Sequence, residues 1–99
     1  MARLKNIHPG EILNEEFLKP LEISGYKLSK ETGIPQTRIT LIIRGERKIT
    51  ADTALRLAKF LGTSAKFWLG LQNDFDLEEE QIHLKVKLAS IKTFEIKAA

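Results

Sequence analysis

The stretch from Ser24 to Gly45 constrains this chain more than any other. It holds two short segments of helical periodicity, with Gly33 between them and Gly45 behind them. Gly33 suits a sharp turn at positive φ, a conformation that a β-carbon disfavours. Pro35 can open the next helix, because its φ is already helical and a first-turn N–H has no partner to lose. Ser24 is a natural N-cap for the helix before the turn, which runs through Thr32. Gly45 stops the second helix. Two short helices joined across about three or four residues make a helix-turn-helix. Leu28, Ile34, Ile39 and Ile42 are the apolar residues that would hold the pair together.

Helical spacing continues on both sides. Pro9 opens a first helix, and Glu11, Glu15 and Glu16 favour its positive end. Ile12, Leu13, Phe17 and Leu21 supply an apolar stripe, and Pro20 ends the helix. Thr50 caps a fourth helix, with Asp52 in its first turn and Ala54, Leu55, Ala58 and Leu61 on one face. Arg56 stands four residues after Asp52, the spacing of a structural salt bridge; the alternative is a place near phosphate. Ser64 caps a fifth helix carrying Phe67, Trp68 and Leu71. The aromatic pair reads as core, with the indole N–H on a backbone partner. Beyond Asp74 two patterns compete: Leu77, Leu84 and Leu88 suit a continuing helix, whereas Ile82, Leu84, Val86 and Leu88 alternate as in a strand. Ile91 to Ile96 leans towards β. The expected architecture is an all-α, five-helix domain over 1–74, with a helical or extended C-terminal tail over 75–99. That tail is too apolar for a lone terminus and is expected to make a dimer contact.

Charge is unevenly distributed. Residues 26–66 hold nine basic and three acidic groups, net +6, whereas 67–84 hold five acidic and no basic groups. A basic middle suits an anionic partner on one surface. On a wheel of the helix over 35–44, Ile39, Ile42 and Ile43 share the inward arc. The opposite arc carries Thr37, Thr40, Leu41 and Arg44, flanked by Gln36 and Arg38, with no carboxylate. Such a face matches the DNA major groove, where Gln pairs with adenine, Arg with guanine, Thr with several edges, and Leu touches a thymine methyl. Lys27, Arg44, Arg47 and Lys48 flank that helix, as phosphate-binding residues do.

Other chemistries find little support. There is no cysteine among the 99 residues, which removes disulfide scaffolds, thiol catalysis and Cys-ligated zinc. His8 and His83 lack metal-ligand spacing, so no metal and no cofactor is expected. No glycine-rich phosphate loop or catalytic constellation occurs, and the chain reads as a non-enzyme. No apolar run approaches the ~20 residues that cross a bilayer. The N-terminus has no signal-peptide core, and the expected location is cytoplasmic.

The residues also resemble a known family. His8-Pro9-Gly10-Glu11, Glu16-Phe17-Leu18 and Pro20-Leu21 carry the resemblance at the start, followed by Gly33-Ile34-Pro35, Arg38-Ile39, Ile42 and Arg44-Gly45. The most specific stretch runs Ile49-Thr50-Ala51-Asp52-Thr53-Ala54-Leu55-Arg56-Leu57-Ala58, and Leu61-Gly62-Thr63-Ser64, Phe67-Trp68-Leu69, Leu71-Gln72 and Asp76-Leu77 follow it. Together they resemble the HigA antitoxins, also called virulence-associated protein I, of the XRE or phage-repressor-like helix-turn-helix class. The resemblance implies a lambda-repressor-like fold and a homodimer that binds double-stranded operator DNA in its own promoter. It also implies a HigB-like, mRNA-cleaving toxin as partner, although some relatives act as stand-alone XRE-type regulators. Carried onto this chain, it makes 35–44 the recognition helix. The base-reading candidates are Gln36, Thr37, Arg38 and Thr40; the phosphate candidates are Lys27, Arg44, Arg47 and Lys48. Ser29 stands where the class usually has alanine, and its hydroxyl is expected to bond back to a helix carbonyl.

Overall fold

The computed structural model describes residues 5–96, and every regular element in that span is helical. Helix α1 opens over Pro9–Ile12 and widens into a π-helix over Leu13–Leu18; α2 is Gly25–Thr32, α3 is Gln36–Ile43, α4 is Ala51–Leu61, α5 is Ala65–His83 and α6 is Lys85–Ala89. The starts follow local chemistry. The hydroxyls of Ser24, Thr50 and Ser64 accept the N–H groups of Lys27, Thr53 and Phe67 at 3.0, 3.5 and 3.0 Å. Each satisfies an N–H that has no partner inside its helix. Pro9 takes the first position of α1, and the His8 Nδ1 accepts from the Gly10 N–H at 2.9 Å.

Five helices close around Trp68. It is fully buried together with Leu13, Leu18, Leu28, Ile34, Ile39, Ile42, Ile49, Ala54 and Leu57. The residues expected to hold the helix pair, Leu28, Ile34, Ile39 and Ile42, are all in this core. Truncating one of them to alanine costs about 2–5 kcal/mol. The indole N–H donates to the Thr63 hydroxyl at 2.7 Å, a side-chain partner rather than the expected backbone one. Phe67 stays partly exposed and meets Phe17 and Trp68 edge-on.

Several expectations are corrected by geometry. The stripe on α1 assumed a regular helix, but Lys19 N–H bonds to the Asn14 carbonyl and Ile23 N–H to that of Leu18, at 2.9 and 2.8 Å. A five-residue bonding interval brings Leu18 into the core beside Leu13 and swings Leu21 out, to 58% exposure. On α4 the buried line is Ala54 and Leu57, with Ala58 and Leu61 packed against the core, while Leu55 is 63% exposed. The back-bond expected of Ser29 is made by Thr32, whose hydroxyl donates to the Leu28 carbonyl at 2.6 Å. The strand-like alternation after Ile82 forms no strand. Helix α5 runs without a break to His83, and 91–96 has no regular structure. An isolated strand has no neighbour to satisfy its N–H and C=O groups, whereas a helix satisfies its own. Asn6 fastens the N-terminal segment to α5, donating to the Phe75 carbonyl and the Glu79 carboxylate, both at 3.0 Å.

Candidate nucleic-acid interface

The turn between α2 and α3 is built by three contacts. Gly33 takes φ 77°, and its N–H closes onto the Ser29 carbonyl at 2.8 Å. The Thr32 hydroxyl accepts the Ile34 N–H at 3.2 Å. From α4, the Arg56 Nη1 donates to the Thr32 carbonyl at 2.8 Å. The last carbonyls of a helix have no internal partner, so this bond both caps α2 and ties it to α4. Ile34 enters the core immediately after the turn, and α3 leaves at the angle this permits.

Helix α3 has two faces. Ile39 and Ile42 are buried and Ile43 packs against them. Gln36, Thr37, Thr40, Leu41 and Arg44 line an open depression on the other side. The Thr40 hydroxyl donates to the Gln36 carbonyl at 3.0 Å. Its oxygen is therefore left to accept, which suits the amino group of adenine or cytosine. Leu41 and the Thr methyl groups give this face apolar points for a thymine methyl. Among the described residues α3 carries no carboxylate, so nothing on the helix repels a phosphate.

The structure brings together Gln36, Thr37, Thr40 and Arg44 from the expected set. Lys27 is exposed in the first turn of α2, and Arg47 is exposed in the segment after α3. Two of the expected residues make ion pairs within the protein. Arg38 leans away from the outer face towards α4: its side chain is only 25% exposed, and Nη1 lies 3.5 Å from the Asp52 Oδ1. Lys48 is exposed but paired with Asp76 of α5 at 3.4 Å. Asp52 itself accepts from the Arg56 Nε at 2.9 Å, the salt bridge that the four-residue spacing predicted. The Arg38–Asp52 contact has no signature in the sequence, because it joins two helices through their packing.

The segment carrying Arg47 and Lys48 is anchored from below. Gln72 is buried on α5; its Oε1 accepts the buried Ile49 N–H at 2.8 Å and its Nε2 donates to Asp76 at 2.9 Å. Gln72 is a further residue that sequence reasoning assigned no role. At the same C-terminal end of α3, the His8 ring stacks edge-on against Phe75 at 4.9 Å and faces Gly45. Burial lowers the His8 pKa below its usual 6.5, against a raising influence from the Asp76 charge. The neutral ring is the form whose Nδ1 can cap α1. Among the described residues there is no group of three or more His, Asp or Glu that could hold a metal, and no helix is long and apolar enough to cross a membrane.

A capped helix, a glycine turn and a second helix with one buried and one polar, carboxylate-free face define a helix-turn-helix protein. Residues 15–68 match the helix-turn-helix family. Virulence-associated protein I of Dichelobacter nodosus is 50% identical over 72 residues, which span 73% of this chain and 67% of that protein. Antitoxin HigA-1 of Vibrio cholerae is 37% identical over 76 residues, 77% of this chain and 71% of that one. The solved structure of Pseudomonas aeruginosa antitoxin HigA with the higBA promoter superposes with a TM-score of 0.87 at 34% identity, over 92% of this chain and all of that one. The chain belongs to the HigA family of XRE-type helix-turn-helix proteins.

Proposed function

We propose that this chain is a sequence-specific operator-binding antitoxin. As a dimer it represses its own operon, and it neutralises a HigB-like mRNA-cleaving toxin encoded beside it. The observation that carries DNA binding is the outer face of α3, where Gln36, Thr37, Thr40 and Arg44 line one open surface with no acid on the helix. Gln36, Thr37, Arg38 and Thr40 read bases; Lys27, Arg44, Arg47 and Lys48 hold phosphates. The solved relative was captured with its promoter, which supports DNA binding by this chain. Dimerisation is supported by the C-terminal segment, where Val86 and Phe94 are each 84% exposed and Ile91 and Ile96 are similarly bare. Apolar groups left in water at this density mark an interface.

The test is a binding titration on the duplex upstream of the chain's own reading frame, set against a scrambled duplex. Two recognition helices related by a two-fold axis read half-sites about 34 Å apart, so the protected sequence is expected to be palindromic. Thr40→Ala should lower operator affinity by about 1–3 kcal/mol and leave scrambled DNA unaffected. Equal affinity for both duplexes at every salt concentration overturns the reading. Co-expression with the neighbouring reading frame tests the toxin partner: co-purification and relief of growth arrest are expected. An independent, non-toxic neighbour would leave a stand-alone XRE-type regulator.

A further inference from the structure

Arg38 and Asp52 are 14 residues apart and lie on different helices, yet packing brings the Arg38 Nη1 to 3.5 Å from the Asp52 Oδ1. The same oxygen accepts the Arg56 Nε at 2.9 Å, and Arg56 is fixed at its other end on the Thr32 carbonyl at 2.8 Å. One carboxylate therefore faces two guanidinium groups that are held unequally. Arg56 is tied twice and serves the turn. Arg38 is tied once and loosely, and its Nε is shielded from solvent without a hydrogen-bond partner. A buried donor without a partner opposes this conformation; the charge of Asp52 favours it.

The geometry points to Asp52 as a positioning residue that determines sequence specificity by setting where the Arg38 guanidinium stands at the edge of α3. This inference rests on the DNA-binding reading above. An unrestrained arginine loses most of its rotamer freedom when it meets a base, and a fixed partner removes part of that loss in advance. The shielded Nε also disfavours a side-on contact through that atom. One Nη1 hydrogen is directed at Asp52, which leaves the other Nη1 hydrogen and the two on Nη2. They form an end-on fork that fits the N7 and O6 acceptors of guanine. Asp52 has a second, opposite effect. It is a partly exposed acid beside Arg38 at the edge of α3, so its charge repels a duplex of any sequence that α3 approaches. Specificity gained through Arg38 and affinity lost through repulsion are therefore separable.

The experiment is a selection from a pool of randomised duplexes with four proteins: wild type, Asp52→Asn, Arg38→Ala and the double variant. The wild type is expected to prefer guanine at one position per half-site, and Arg38→Ala to abolish that preference. Asp52→Asn should weaken it severalfold, a part of the roughly 5–150-fold that a whole bidentate arginine–guanine contact contributes. Other positions should keep their preferences, and affinity for a scrambled duplex should rise. In the Arg38→Ala background, Asp52→Asn should change no position. Thermal unfolding checks that each variant is folded, and Asp52→Ser replaces the amide variant if that one melts. The inference is overturned if Asp52→Asn leaves the guanine preference intact, dampens all positions equally, or acts the same without Arg38. A wild type that selects no sequence at all sinks the DNA-binding reading itself, whereas a wild type that selects sites without this guanine overturns only the role of Asp52.

Discussion

Gly10 provides a test in which tertiary structure reverses the sign of a local rule. It lies in the first turn of α1, and alanine in place of a helical glycine normally stabilises by about 1 kcal/mol. At this position a β-carbon falls onto the carbonyl oxygen of Ile42 in α3 and 2.5 Å from the carbonyl carbon. Ordinary contact between carbons begins near ~3.5 Å, so α1 and α3 must separate by at least about 1 Å. The obstacle is backbone, with Ile39 and Ile42 locked in the core beside it, and it cannot rotate away. Overpacking of a core costs about 1–3 kcal/mol, and a main-chain obstacle belongs at the upper end. After the helical gain is subtracted, Gly10→Ala should lose about 1–2 kcal/mol. At about 4–8 °C per kcal/mol for a domain of this size, the melting temperature falls by roughly 5–15 °C. Gly70, inside α5, has nothing within 4 Å of its β-carbon position, so Gly70→Ala should gain up to about 1 kcal/mol. Both variants are measured by thermal and urea unfolding at one fixed protein concentration, because any self-association makes stability concentration-dependent. A Gly10→Ala protein as stable as wild type would refute the reasoning.

Three further outcomes are expected. Gln72→Met keeps the volume but orphans the buried Ile49 N–H; urea unfolding should show a loss of about 1–3 kcal/mol, and an unchanged midpoint would mean that this N–H finds another acceptor. The lowered His8 pKa means that the unfolded chain binds the proton more readily than the folded one. Stability should therefore be flat above about pH 6.5, fall as pH drops below it, and lose this contribution fully once pH is under the folded value. His8→Asn, which retains a capping side chain without titrating there, should flatten the same window in denaturant titrations. Lys48→Ala should weaken all duplexes alike and reduce the slope of log affinity against log salt by about 1; an unchanged slope would mean that Lys48 stays on Asp76 in the complex.

Much of the candidate interface is legible in the sequence because its determinants are local. The two faces of α3 follow from residues three and four apart, and Gln36, Thr37, Thr40 and Arg44 fall on the open side as the wheel places them. Arg38, which the wheel puts on the flank, turns towards Asp52, because a wheel gives the direction of a Cβ and an arginine has several bonds beyond it along which to turn towards a charge. Lys48 was legible as basic but not as paired, since Asp76 reaches it only through the packing of α5. The π-helix over Leu13–Leu18 defeated a reading that assumed a constant helical period, so Leu18 entered the core and Leu21 left it.

By itself, the sequence determined where helices begin, where the chain turns and which side of α3 is apolar. Caps, a left-handed glycine and helical periodicity each act within about four residues and need no partner from elsewhere. Only the tertiary structure decided the rest: that Gly10 must be glycine because another backbone occupies the space, that a buried Gln72 holds Ile49 across 23 residues, and that Asp52 reaches Arg38 across 14. Those contacts exist because packing Trp68 and its neighbours brings distant segments within a few ångströms. No local preference in the chain encodes that proximity.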